Sequence, residues 1–466
     1  MFAIMSSTFP SDFLWGTASS SYQIEGAFDQ DGRGMSIWDT FSKTAGCVNN
    51  GDTGDVACDH YNRFSEDIGI MQELGIKAYR FSISWPRLFP NGDDAREERG
   101  FDFYNQLIDE LIAAGIEPMA TLYHWDLPQK LEDAGGWANR KTIDAFAHYA
   151  KAAAEAFGDR VNSWITLNEP WCTAWLGYAN GVHAPGKKDM DLAIIASHHT
   201  ALAHAAGVRA IKSVYPHVEV GLTVNMANYQ LEDPENFELI EVSQLLDSNL
   251  NRWWIDAFLT GKYPENLLQN YGERITSVIL PGDEDLLKIT TDFLGINYYR
   301  DEFVGLPKAT TKPLIEDGLF PFSHRADMSV PSTYTGTYTS MGWPITPEGL
   351  GKLLERVHRD WPQIPYLMVT ENGAAFDDLK KSDEIIDDFD RISYLTEHIA
   401  SVERAIAAGV PVRGYFAWSI MDNFEWAEGY AKRFGLIYVD FETQERLPKR
   451  SALAYKAIIE NSGLLR

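Results

Sequence analysis

The feature that most constrains this chain is an eightfold alternation of short apolar runs with longer amphipathic stretches. The runs are Phe13 to Ala18, Ala78 to Trp85, Glu117 to Trp125, Asn162 to Asn168, Val218 to Met226, Asp292 to Tyr299, Tyr366 to Glu371 and Val412 to Ile420. They are short and apolar on both faces, as expected of strands buried from both sides. Between them lie stretches with apolar residues at helical spacing, among them Tyr61 to Leu74, Phe101 to Ala114, Thr142 to Phe157, Leu192 to Val214 and Leu350 to Asp360. Strands alternating with helices predict parallel βα units, and eight such units predict a closed (β/α)8 barrel, the TIM barrel of the α/β class. Several helical stretches run into the next strand through Gly75, Gly115 or Gly409, where glycine can take a left-handed cap. No linker or low-complexity tract divides the chain, so 1–466 is expected to be a single domain with long βα loops. The least regular segment, Gly305 to Ser340, is read as one such loop over the barrel mouth.

Composition narrows the function. Asp and Glu total 67 against 40 Lys and Arg, a formal net charge of -27, which disfavours nucleic acid and anionic membrane as partners. The three cysteines, Cys47, Cys58 and Cys172, form no CxxC pair and no Cys/His cluster, so neither a disulfide framework nor a structural zinc site is expected. His198, His199 and His204 lie in an alanine-rich helical stretch without a carboxylate at ligand spacing and read as packing rather than a metal site. The first residues lack a basic start followed by an apolar run, and no apolar stretch is long enough to span a bilayer. A cytoplasmic protein without metal or other cofactor is expected; a homo-oligomer is left open.

Chemistry concentrates where the apolar runs end. Tyr123-His124-Trp125, Thr166-Leu167-Asn168-Glu169, Asn297-Tyr298-Tyr299, Thr370-Glu371-Asn372 and Trp418 turn polar or aromatic at the carboxyl ends of the predicted strands, which converge on one face of a barrel. Two of these ends carry glutamates, Glu169 and Glu371, on roughly opposite sides. Cleaving a glycosidic bond without a metal requires such a pair: one carboxylic acid protonates the leaving oxygen and one carboxylate meets the oxocarbenium-like carbon. As a bare pair the two could equally be rim residues or members of ion pairs.

The surrounding segments are more specific. Thr166-Leu167-Asn168-Glu169-Pro170, Val369-Thr370-Glu371-Asn372-Gly373, Phe13-Leu14-Trp15-Gly16-Thr17-Ala18, Tyr22-Gln23-Ile24-Glu25-Gly26, Tyr79-Arg80-Phe81-Ser82-Ile83-Ser84-Trp85-Pro86-Arg87 and Trp418-Ser419-Ile420-Met421-Asp422-Asn423-Phe424-Glu425-Trp426 resemble, in order, the signatures of glycoside hydrolase family 1, the β-glucosidase family. The resemblance runs over nearly the whole chain. It implies a retaining β-glycosidase, foremost a β-glucosidase acting on terminal β-D-glucosyl residues. Glu371 would be the nucleophile and Glu169 the general acid/base, with carboxylates about 5 to 5.5 Å apart. Arg80 and Tyr299 would keep Glu371 ionised, with Asn297 in support, and Asn168 would bind the 2-hydroxyl. Gln23, His124, Glu425 and Trp426 would ring the sugar, and Trp418 would lie beneath its face. Trp171, Leu176 and Trp343 would line the leaving-group side.

Other members of the same fold set the alternatives. A β-galactosidase or β-fucosidase preference is compatible with these residues. Less well matched are a 6-phospho-β-glycosidase, which grips phosphate with Ser and a Lys/Tyr pair where this chain reads Glu425-Trp426-Ala427-Glu428-Gly429-Tyr430, and a non-catalytic sugar-binding protein, which usually lacks one of the two glutamates.

Overall fold

Eight parallel strands close on themselves in the computed structural model, which describes residues 9–93, 95–305, 334–378 and 385–464. In chain order the strands are β1 (Leu14–Ala18), β2 (Ala78–Ser82), β3 (Glu117–Tyr123), β4 (Ser163–Asn168), β5 (Glu219–Asn225), β6 (Tyr229–Leu231), β7 (Phe293–Asn297), β8 (Glu302–Val304), β9 (Leu367–Asn372), β10 (Val412–Trp418), β11 (Ile437–Val439) and β12 (Arg446–Pro448). The barrel order is β1-β10-β9-β7-β5-β4-β3-β2, with β1 and β2 completing the ring. β6 pairs with β8 and β11 with β12 in separate two-stranded sheets. Every residue of β2, β4, β7 and β9 is buried, which accounts for their unbroken apolar runs.

Helices His60–Glu73, Glu98–Ala113, Lys141–Phe157, Met190–Val214 and Pro347–Asp360 occupy the five predicted amphipathic stretches. Gly75, Gly115 and Gly409 all have positive φ at the turns into β2, β3 and β10. Inside the barrel a separate cluster draws Met119, Ile165, Phe293, Met368 and Phe416 from five strands. The Phe293 and Phe416 rings lie where a Cβ on Gly221 or Gly16 would stand, so large side chains interlock with glycines and fill the floor beneath the site. The larger apolar cluster occupies the space between barrel and helices.

The structure shortens some predicted strands. The run Ala78 to Trp85 is strand only to Ser82, because Trp85–Leu88 turns helical with Pro86 in its first turn. The run Val412 to Ile420 ends as strand at Trp418. Of the loop expected over Gly305 to Ser340, residues 306–333 lie outside the described residues. Its end is tied down by Ser340 N–H on Ala375 O and Thr339 N–H on Trp343 O, both at 2.9 Å.

Candidate active site

Two of the strands carry an irregularity just before the residue that matters. Between Ile165 and Asn168, β4 advances three positions while β5 advances two, from Gly221 to Thr223. β9 likewise advances from Val369 to Glu371 while β7 moves one step, from Ile296 to Asn297. An extra residue of this kind bends a strand and re-aims the side chains after it. Here it precedes Glu169 on one side of the mouth and Glu371 on the other. Glu169 itself has φ +43°, and two further residues of the mouth, Trp125 and Trp426, also have positive φ. Such backbone conformations cost about 1–3 kcal/mol each and gather at functional sites.

The Glu371 carboxyl is held at both oxygens. Arg80, rising from β2, donates from Nη1 to Oε1 at 2.5 Å, and Tyr299 donates its hydroxyl to Oε2 at 2.5 Å. Asn297 donates from Nδ2 to Oε1 of Glu169 at 2.7 Å and to Oδ1 of Asn168 at 3.1 Å. Arg80 Nη2 also reaches Asn168 Oδ1 at 2.6 Å. With that oxygen accepting, the Asn168 amide donates from Nδ2 to His124 Nε2 at 3.0 Å. His124 therefore carries its proton on Nδ1, and burial together with the Arg80 charge holds its pKa well below the ordinary range, so the ring is neutral.

The two glutamates are buried and feel each other's charge. Burial pushes both up, but Arg80 and Tyr299 oppose it at Glu371. Glu169 has no ion-pair partner among the described residues, and burial plus the Glu371 charge push it to about 7. The first proton lost by the pair accordingly leaves Glu371, and Glu169 keeps its own near neutrality. Glu425 is pushed to about 8 by burial and by the charges of Glu371 and Glu169. That favours its protonated form, which can donate as well as accept.

These groups open into a pocket of about 450 Å3. Its lining brings together His124, Glu169, Asn297, Tyr299, Glu371, Trp418, Glu425 and Trp426, along with Trp171, Leu176 and Trp343. Trp418 stacks on His124 at 5.8 Å between centroids. Arg80, Asn168 and Gln23 are buried directly behind the lining instead. Gln23 is engaged by Ser20, Asn423 and the Phe424 carbonyl. Buried atoms of four lining residues, His124 Nδ1, Glu425 Oε2, Asn225 Oδ1 and Asn180 Nδ2, have no hydrogen-bond partner among the described residues. Each such orphan costs about 1–3 kcal/mol, so a ligand rich in hydroxyls is favoured here.

Sequence reasoning missed Asn225, Asn180, His183, Arg300 and Cys172, all of which line the pocket. Asn225 is the last residue of β5, a strand end like those singled out, and that position was its available signal. The histidines read as packing are held by neighbours: His198 by Tyr263 and Asp283, His199 by Trp137 O, and His204 through Nδ1 alone by Thr166. Among the described residues no group of three His, Cys, Asp or Glu could hold a metal ion, and no helix is long and apolar enough to cross a membrane.

Comparison with known proteins identifies the family. The family model for glycosyl hydrolase family 1 matches residues 5–464. β-Glucosidase A of Thermotoga maritima is 44% identical over 98% of this chain and 98% of its own length. A bifunctional β-D-glucosidase/β-D-fucosidase of Bifidobacterium breve is 42% identical over 98% of this chain and 99% of its own. The solved structure of the T. maritima β-glucosidase in complex with glucoimidazole superposes with a TM-score of 0.91 at 44% identity, covering 98% of this chain and 99% of that one. The chain belongs to glycosyl hydrolase family 1 and is a glycoside hydrolase of the β-glucosidase type.

Proposed function

We propose that residues 1–466 act as one catalytic domain that hydrolyses terminal β-D-glucosides by double displacement, with Glu371 as nucleophile and Glu169 as general acid/base. The observation that carries this assignment is the unequal treatment of the two carboxyls: Glu371 is clamped by Arg80 and Tyr299, whereas among the described residues Glu169 accepts from the neutral donors Asn297 and Cys172. In the first step Glu371 attacks the anomeric carbon while Glu169 gives its proton to the departing oxygen. In the second step water, deprotonated by Glu169, displaces Glu371 and restores both groups with net retention. As the glycosyl ester forms, the Glu371 charge that helps raise Glu169 disappears, which lowers Glu169 and suits it to act as base.

The lining supports a neutral pyranose at the floor, with Trp418 offering an apolar face and His124 Nδ1 and Glu425 offering unpartnered polar atoms. Trp171, Leu176 and Trp343 are assigned to the leaving group. The roles are tested by azide rescue. Glu371→Gly should lose turnover and regain cleavage of an activated aryl β-glucoside with azide, giving the α-glycosyl azide. Glu169→Ala should give the β-glycosyl azide. The opposite stereochemical outcome would reverse the assignment.

A further inference from the structure

Glu169 has a second neighbour that the sequence does not advertise. Cys172 begins the wide-turned helix Cys172–Ala179, its backbone N–H donating to Glu169 O at 2.9 Å, and its Sγ lies 3.0 Å from Glu169 Oε2. The other carboxyl oxygen, Oε1, accepts from the Asn297 amide at 2.7 Å. An amide N–H can only donate and is better accepted by the carbonyl oxygen of a carboxylic acid, so a proton on Glu169 is favoured on Oε2. The protein partner at Oε2 is thus the thiol. A thiol is both a weak donor and a weak acceptor, so it can point S–H at the carboxylate and turn away, or accept, when the oxygen is protonated. An ammonium or amide donor in its place would favour the ionised form alone.

We propose that Cys172 is a positioning residue for the acid/base step: its thiol holds Oε2 of Glu169 in place through a hydrogen bond weak enough for the proton to pass to the leaving group. The inference rests on Glu169 being the acid/base. Burial and the adjacent carboxyl push the thiol well above its ordinary range, so Cys172 stays as S–H and does not compete as a nucleophile. The contact is built by the chain itself, since the same residue bonds Glu169 through its backbone and its side chain.

The test compares Cys172→Ala and Cys172→Ser in the full chain, reading kcat/KM against pH and against leaving-group acidity. Loss of a weak donor to the ionised carboxyl should raise the basic limb by roughly 0.3 to 0.8 pH unit in Cys172→Ala. Alkyl β-glucosides, whose leaving group needs the proton, should slow severalfold more than dinitrophenyl β-glucoside, which leaves unaided. Cys172→Ser, which keeps a donor and acceptor, should retain a limb close to that of the wild type. Cys172→Val, which fills the space without a donor, should move the limb as Ala does and serves in its place if the Ala variant does not fold. An unmoved limb with equal slowing of both substrates, or a Ser variant shifted as far as Ala, would overturn the proposal. Glu169→Gln on dinitrophenyl β-glucoside separates the two layers. If its basic limb persists, the acid/base assignment itself fails; if that limb vanishes while the Cys172 variants leave theirs unmoved, only the role of Cys172 falls.

Discussion

Removing the Tyr299 hydroxyl should move the acid limb of the pH profile and little else. The hydroxyl of the half-buried Tyr299 donates to Oε2 of the buried Glu371 at 2.5 Å, while Arg80 holds Oε1. A hydrogen bond to a charged group contributes about 1.5–3 kcal/mol. Tyr299→Phe forfeits that amount from the ionised form of Glu371 alone, and at about 1.36 kcal/mol per pH unit the first proton of the pair should then be lost about 1 to 2 pH units higher. The sign follows from the direction of the bond: a donor favours the carboxylate, so its loss leaves Glu371 protonated to higher pH. The basic limb, set by Glu169, should change much less, so the bell should narrow from its acid side and lose height. The assay is kcat/KM for an aryl β-glucoside across pH, which reports the free enzyme and hence the arrangement described here. An acid limb within about 0.3 pH unit of the wild type would refute the reasoning, because Tyr299 would then not help set the charge of the nucleophile.

Two further outcomes follow. Aryl β-glucosides should be hydrolysed at least roughly a hundredfold better in kcat/KM than their 6-phosphates, equivalent to about 2.7 kcal/mol; comparable rates would contradict a pocket built for an uncharged sugar. Among the described residues lining the pocket, Arg300 is the only one with a permanent positive charge, and it is engaged by Glu302 at 2.7 Å, whereas the carboxyls of Glu371 and Glu428 also line it. Lys449→Met should lower stability by about 3–5 kcal/mol in thermal or denaturant unfolding, since it leaves Asp378 and Asp422 buried without the ammonium now 2.6 and 2.7 Å away. A loss under about 1 kcal/mol would show that Arg391 and Arg433 suffice for these carboxylates.

The barrel was legible because its strands are buried on both faces and so stand out as apolar runs of strand length. What blurred was where each run stops being a strand. Trp85 is as apolar as its predecessors, yet Pro86 begins a helical turn there. The β6/β8 and β11/β12 pairs escaped because each strand has three residues, too few to show a period. Glu169 and Glu371 could be singled out from strand ends and neighbouring motifs, but the extra residue that re-aims each is a matter of register between strands. The protonation of Glu425 was hidden for a related reason: it depends on Glu169 and Glu371, distant in sequence and close in space. Cys172 is only three residues from Glu169, yet nothing in the sequence shows that its thiol faces Oε2.

The central claim is that Glu371 forms the covalent bond to the sugar. Incubation with a 2-deoxy-2-fluoro-β-glucoside bearing a dinitrophenyl leaving group should accumulate the intermediate, because the fluorine slows both steps while the good leaving group preserves the first. Mass spectrometry of the intact chain followed by its proteolytic peptides should then find one fluoroglucosyl group, esterified to Glu371 in the peptide containing Val369-Thr370-Glu371-Asn372. Label on Glu169, or rapid turnover of the probe to product with inverted configuration and no adduct, would contradict the account.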